Sequence, residues 1–191
     1  MTHYTEAMLD IETLSTKPNA AILSVAVVRF NIRDEDTVQT LSDPDRSLHV
    51  HLPLPQQKLL ERDFDPSTIM FWLGQEDQAR NAILTGQKGA DFAQNLIKVK
   101  DFLRSVGKLW GNGSDFDNVI LRSLFDDVDE HFPVRYSGNR CLRTLRSLVP
   151  GADAKSWPWP KGLVKHDALD DAKNQVLVAQ HCWRKLNGGS A

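Results

Sequence analysis

The chain has 191 residues, 41% hydrophobic and 25% charged, a composition that supports one globular domain with a core of its own. Twenty-three Lys and Arg against twenty-five Asp and Glu leave a formal charge of -2, which excludes a nucleic-acid binder that relies on an overall positive field. Cys141 and Cys182 lie far apart and form no CxxC, which argues against a disulfide scaffold or a thiolate zinc site and fits a reducing, cytoplasmic setting. The first residues lack the pattern of a signal peptide, and no apolar run reaches membrane-spanning length.

In chain order, residues 7–12 read as a first strand, and the β-branched run 20–30 reads as a strand buried on both faces. Pro18-Asn19 marks the turn between them, and a third strand follows around Ser47 to Leu52, so the chain opens as a meander. Asp65-Pro66 has the form of a helix cap with proline in the first turn. Phe92, Leu96, Val99, Leu103 and Val106 recur at helical spacing from Ala90 to Val106, with Gly107 as the stop. Lys108 to Asn112 is short and strand-like, and helices are expected at about 116–125, 140–148 and 167–186. Gly151 to Gly162, with Trp157-Pro158-Trp159-Pro160, reads as a long surface loop. This order predicts an α/β layer with a mixed sheet.

The first strand carries acids where an apolar element does not want them. Asp10 and Glu12 alternate with Leu9 and Ile11, so the period of two puts both carboxylates on one face. Either the strand is an edge whose polar face sees water, or the two anions share a bound cation. Acids recur at two further element starts, in Gly111-Asn112-Gly113-Ser114-Asp115-Phe116-Asp117 and in His166-Asp167-Ala168-Leu169-Asp170-Asp171. A lone Asp at a helix start is ordinarily a cap, and Asp167 fits that role. Three acidic segments together form an all-oxygen set that suits Mg²⁺ or Mn²⁺ and not zinc. Two such ions about 3.5–4 Å apart can hold a phosphodiester, and a histidine can take the proton of the attacking water.

These segments resemble a known family. Asp10-Ile11-Glu12-Thr13 resembles the first motif of the DEDD exonuclease superfamily, Asn112 to Asp117 resembles the second, and His166 to Asp171 resembles the third with the HxAxxD spacing of the DEDDh branch. Leu9 to Leu14, Leu109 to Gly113 and Phe116-Asp117-Asn118 look most like the small exoribonuclease-like proteins of bacteria and phages. The resemblance implies an RNase H-like α/β fold, a mixed central sheet flanked by helices, in one domain over residues 1–187 with a flexible tail at 188–191. It implies Asp10, Glu12, Asp117 and Asp171 as ligands of two Mg²⁺, with Mn²⁺ as a substitute, and His166 as general base. Asp115 is an alternative to Asp117. Thr13 and Leu14 would meet the last nucleotide, and Asn112 and Arg143 would bind substrate. The implied activity is removal of 5′-mononucleotides from the 3′ end of single-stranded RNA, or of DNA. A homodimer is a further expectation, and a membrane partner is not. The alternatives are a catalytically silent nucleic-acid-binding module of the same fold and an oligonucleotide-specific phosphodiesterase.

Other candidates read more plainly. His49 and His51 share a face of a strand expected at the surface. The run Asp126 to Glu130 reads as a solvated helix end, and Arg140, Arg143 and Arg146 as a basic helix face. Trp72, Trp110, Trp157 and Trp159 are available for stacking, although packing is the commoner use of such residues.

Overall fold

The computed structural model of the chain describes residues 4–152 and 157–188. Of the expected tail only Gly188 falls within them, and residues 153–156 of the Trp-Pro loop lie outside. A five-stranded mixed sheet is ordered β3-β2-β1-β4-β5. Strands β1 (Glu6–Thr13), β2 (Ile22–Phe30) and β3 (Ser47–His51) form an antiparallel meander. Strands β4 (Lys108–Gly111) and β5 (Asn139–Cys141) join β1 in parallel on its other side. Strand β1 is therefore central, which rules out the edge-strand explanation of its acids.

The period of two along β1 divides the core. Ala7, Leu9 and Ile11 pack with Val99 and Leu103 of α5 (Phe92–Leu103) and with Ile120, Leu121 and Leu124 of α6 (Asp117–Asp127). The opposite face carries Met8 against Ala172, Val176 and Ala179 of the long α8 (Ala168–Leu186). Glu6, Asp10 and Glu12 belong to that second face. Buried Glu6 is satisfied there, accepting from Trp110 Nε1 at 2.7 Å and from Lys108 Nζ at 3.2 Å. The β1–β2 register slips between Glu12 and Thr13, so a bulge re-aims the chain just after the second acid.

Short helices α1 (Val38–Leu41) and α2 (Leu54–Leu59) flank β3, and α3 (Pro66–Leu73) and α4 (Asp77–Gln87) follow. Asp65 caps α3, accepting from the backbone of Ser67 and Thr68. Helix α5 ends at Leu103 and not at Val106, because Gly107 and Lys108 already donate to Thr5 and the chain must extend to pair with β1. The helix expected over 140–148 is shorter, α7 (Leu142–Ser147), because Asn139–Cys141 pair with β4 as a strand. Arg140 is thus a strand residue, and the basic face of three arginines on one helix does not form. Asp127 is not merely solvated: it pairs at 2.7 Å with the buried Arg62, which also donates to the Ala20 carbonyl. No helix among the described residues is long and apolar enough to cross a membrane.

Candidate active site

Strand β1 lies where the sheet changes from antiparallel to parallel neighbours, and β4 stops at Gly111, level with Cys141 of β5. Beyond the carboxyl ends of these strands a crevice opens, the usual place for a ligand in an α/β sheet. Asp10 and Glu12 enter it from β1. Asp117 enters from the first turn of α6, buried, with Oδ1 accepting from the Ile11 amide at 3.3 Å. This approach is close enough that Gly111 has no room for a side chain: a Cβ there would stand 2.8 Å from Asn118 Oδ1 and 3.1 Å from Asp117 Oδ2. Asp171 comes from the first turn of α8, after the cap Asp167, which accepts from Leu169 and Asp170. Asp115 is exposed, in the turn before α6.

His166 precedes α8 in a left-handed conformation, φ 63°, costly for a residue with a side chain. Two contacts hold it: its amide donates to Asp171 Oδ2 at 2.8 Å, and its ring meets the Phe71 ring edge-on at 5.4 Å. One ligand atom each from Glu12, His166 and Asp171 lie within 4.8 Å of one another.

Electrostatics show how crowded the crevice is. Burial raises Asp10 well above the usual carboxylate range, helped by Asp117, Glu12 and Asp171 and opposed by a hydrogen bond from Gln175. Glu12 is raised by burial, Asp171 and Asp117. Burial pushes Asp117 up to about 7 against backbone donors and the Arg143 charge, and pushes Asp171 up to about 6 against the His166 amide. Among the described residues no Lys, Arg or His is ion-paired with any of the four. Four hard oxygen donors with no direct ion pair to the protein fit divalent cations. His166 is shifted the other way, down, by burial and by Lys165, which favours the neutral ring.

The remaining expected residues are placed unevenly. Thr13 lines a cavity of about 370 Å³ with Glu12, Phe71, Trp72, Phe116 and His166. Its carbonyl accepts from Trp72 Nε1 at 2.9 Å, so Trp72 is at once core and cavity wall. Leu14 instead packs in the core beneath Trp72, with its amide and carbonyl bonded to Ala21 and Asp65. Asn112 is half-buried, its Oδ1 without a partner. Arg143 is exposed, its guanidinium carbon 3.2 Å from where a Cβ on Gly113 would stand. His49 and His51, expected at the surface, are half-buried with rings 4.9 Å apart and Nε2 atoms enclosed and unpartnered. The residue that sequence reasoning missed is Gln175, whose Nε2 donates to Asp10 Oδ1 at 2.5 Å. Its position four residues after Asp171, on the same face of α8, was the available signal.

Five relationships to known proteins bear on this crevice. Residues 5–183 match the family described as the 3'-5' exoribonuclease Rv2179c-like domain. An exodeoxyribonuclease of Enterobacteria phage T4 is 26% identical over 206 residues, covering 95% of this chain and 90% of the phage protein. Among solved structures, the nuclease domain of 3'hExo, a DEDDh family member bound to rAMP, is similar with a TM-score of 0.56 at 18% identity, covering 96% of this chain and 94% of that one. S. pombe Pop2p in its Mg²⁺- and Mn²⁺-bound form has a TM-score of 0.59 at 11% identity, with coverages of 98% and 86%. The zinc-bound E. coli ExoI–ssDNA complex has 0.57 at 12%, covering 98% of this chain but only 41% of that one, so the chain spans about two fifths of the ExoI chain. At these identities the structures show the fold, which is RNase H-like. Matched over nearly its whole length, the chain belongs to the Rv2179c-like family of 3'-5' exoribonuclease domains and is an exonuclease domain.

Proposed function

We propose that the chain is a divalent-metal-dependent 3′-5′ exonuclease that releases 5′-mononucleotides from single-stranded nucleic acid, RNA before DNA. The observation that carries this reading is the convergence of Asp10, Glu12, Asp117 and Asp171 from three distant segments beside His166, with no Lys or Arg ion-paired to them among the described residues. These four would hold two Mg²⁺, which when bound would acidify a water and neutralise charge on the phosphate.

The rest of the chemistry falls to the protein. Neutral His166, its backbone tied to Asp171 and its ring set against Phe71, is placed to take a proton from the attacking water. The water oxygen bonds to phosphorus, the bond from phosphorus to the 3′-oxygen of the preceding nucleotide breaks, and that oxygen leaves with a proton on the shortened strand. The cavity lined by Thr13, Phe71, Trp72 and Phe116 would seat the terminal nucleotide. Its volume of about 370 Å³ lies within the range of small-ligand pockets.

The family's description names RNA, whereas the phage relative is named for DNA. RNA and DNA strands of one sequence, labelled at the 5′ or the 3′ end and followed in Mg²⁺, Mn²⁺ and EDTA, test the reading. The expected result is stepwise shortening of 5′-labelled strands and early release of the 3′ label as a mononucleotide, faster on RNA and absent in EDTA. Internal cuts, loss of the 5′ label first, or cleavage in EDTA would contradict it.

A further inference from the structure

Two histidines outside the crevice are packed in a way that only neutral rings tolerate. Strand β3 carries His49 and His51 opposite Ala26 and Ser24 of β2, which in turn lie opposite Asp10 and Glu12 of β1. The two rings therefore stand on the same side of the sheet as these acids, two strands away. Small residues on β2 leave room for them, and their centroids are 4.9 Å apart. Helix α4 closes over the pair: a Cβ on Gly86 would stand 2.3 Å from Cδ2, Cε1 and Nδ1 of His51, so the bare glycine backbone covers the ring. Glycine inside a helix costs about 0.5–1 kcal/mol relative to alanine, and this close approach is what requires it.

Both Nε2 atoms, like the Ser24 hydroxyl, are enclosed without a partner. A neutral imidazole meets this by keeping its proton on Nδ1. An imidazolium carries N–H on both nitrogens, so protonation would enclose a charged donor with no acceptor. The surrounding groups do not remove the conflict. From the start of α8, Asp167, Asp170 and Lys173 face His49, and Asp167 also faces His51. Asp167 already accepts from the Leu169 and Asp170 amides, and Asp170 from the Val164 amide and Lys173 Nζ. From α5, Lys98 donates to Asn95, whose Nδ2 donates to the His51 carbonyl. Burial holds both rings below the usual histidine range, and His49 lowers His51 further.

The seat of α4 reaches the crevice. Ile83 of α4 packs against the cluster of Leu14, Leu23 and Trp72, and Arg80 Nη1 donates at 2.8 Å to the Leu73 carbonyl at the end of α3. Phe71 and Trp72 in turn wall the cavity beside His166. We propose that the stacked His49–His51 pair under Gly86 is a proton-sensitive latch: neutral rings seat α4, and through Ile83 and Trp72 they hold the wall of the nucleotide cavity. Below a pH of about 6.5, an open form whose rings meet water binds protons that the seated form excludes, so the equilibrium shifts toward opening. Opening strips Ile83 from Trp72 and loosens the cavity. The consequence for hydrolysis rests on the exonuclease reading above, whereas the latch itself does not.

Backbone hydrogen exchange of the Mg²⁺-loaded protein at pH 7.5 and pH 5.5, corrected for the intrinsic pH dependence of exchange, tests the latch. Protection of the α4 amides should fall about ten-fold or more at the lower pH, with α5 unchanged. The double variant His49→Phe, His51→Phe keeps two flat rings without their protons, and its α4 protection should not change with pH. Gly86→Ala, which displaces the His51 ring, should protect α4 weakly at both pH values. Equal α4 protection at both pH values in the unsubstituted protein, or an equal fall in α5, would overturn the latch. So would a fall retained by the Phe variant. Should that variant not fold, full α4 protection of Gly86→Ala at pH 7.5 would also overturn it. Exchange is read without substrate, so a failed latch leaves the exonuclease reading standing, and a protein without nuclease activity still reports on the latch.

Discussion

Gln175 Nε2 donates to Asp10 Oδ1 at 2.5 Å, from one turn beyond Asp171 on the same helix. One face of α8 thus supplies an acid to the crevice and also the amide that holds another acid in place. Ligand carboxylates steadied in this way ordinarily bind metal better than loose ones. Replacing Gln175 by Leu should weaken Mn²⁺ binding and raise the Mg²⁺ needed for half-maximal rate, each by roughly ten-fold or more. Calorimetric titration with Mn²⁺ and a Mg²⁺ dependence of rate check this, and Gln175→Asn, too short to reach Asp10, should behave like Leu.

The raised carboxylates make the metal-free protein sensitive to base. Folded values of about 7 for Asp117 and about 6 for Asp171 lie above the unfolded 3.8, so between these limits the folded chain binds more protons than the unfolded one. Their contribution is fully present below about pH 4 and is lost as pH rises through 6 and 7. In EDTA the protein should melt several degrees lower at pH 8 than at pH 5, since about 1 kcal/mol moves Tm by 2–4 °C in a chain of this size. Asp117→Asn should flatten that dependence and melt above the unsubstituted protein at pH 8. Mg²⁺ should restore more stability at pH 8 than at pH 5.

His166 is shifted below 6.5 by burial and by Lys165, so the acid limb of the kcat/KM profile should have its midpoint under that value. His166→Ala should lower kcat by about 10²–10⁴ with a smaller change in KM. Lys165→Gln should move the acid limb upward. A pH–rate series on the three proteins reads all of these outcomes.

Gly111 makes room for α6 at the end of β4. Gly111→Ala would press a methyl carbon within 2.8 Å of Asn118 Oδ1, whose side chain is pinned by donating to the Leu109 carbonyl and to Asn139 Oδ1. The variant should lose about 1–3 kcal/mol of stability by urea unfolding, and its activity should fall further than its folded fraction because Asp117 is displaced.

Much of the site was legible because its signals are local. The period of two put Asp10 and Glu12 on one face, and the HxAxxD spacing placed His166 and Asp171 about one turn apart. What was not legible depended on distant packing. Asp115 and Asp117 share one short segment, and only the approach of α6 to the Ile11 amide separates the buried acid from the exposed one. Arg140 sits in a sequence that reads as helix, but pairing with Trp110 of β4 makes it a strand. His49 and His51 look like surface residues until α4 brings Gly86 against the His51 ring, so close that a Cβ there would stand 2.3 Å from it. Gln175 carries no local signal of its own, and its contact depends on a strand 165 residues earlier.

On the proposed reading, the four clustered carboxylates run the hydrolysis. The most direct measurement compares the unsubstituted protein with Asp10→Asn on a 5′-labelled single-stranded RNA in Mg²⁺, with thermal melts confirming that both are folded. The expected result is stepwise 3′-end shortening by the unsubstituted protein and a rate for Asp10→Asn at the level of the EDTA control. Shortening by a folded Asp10→Asn at the unsubstituted rate would contradict the claim.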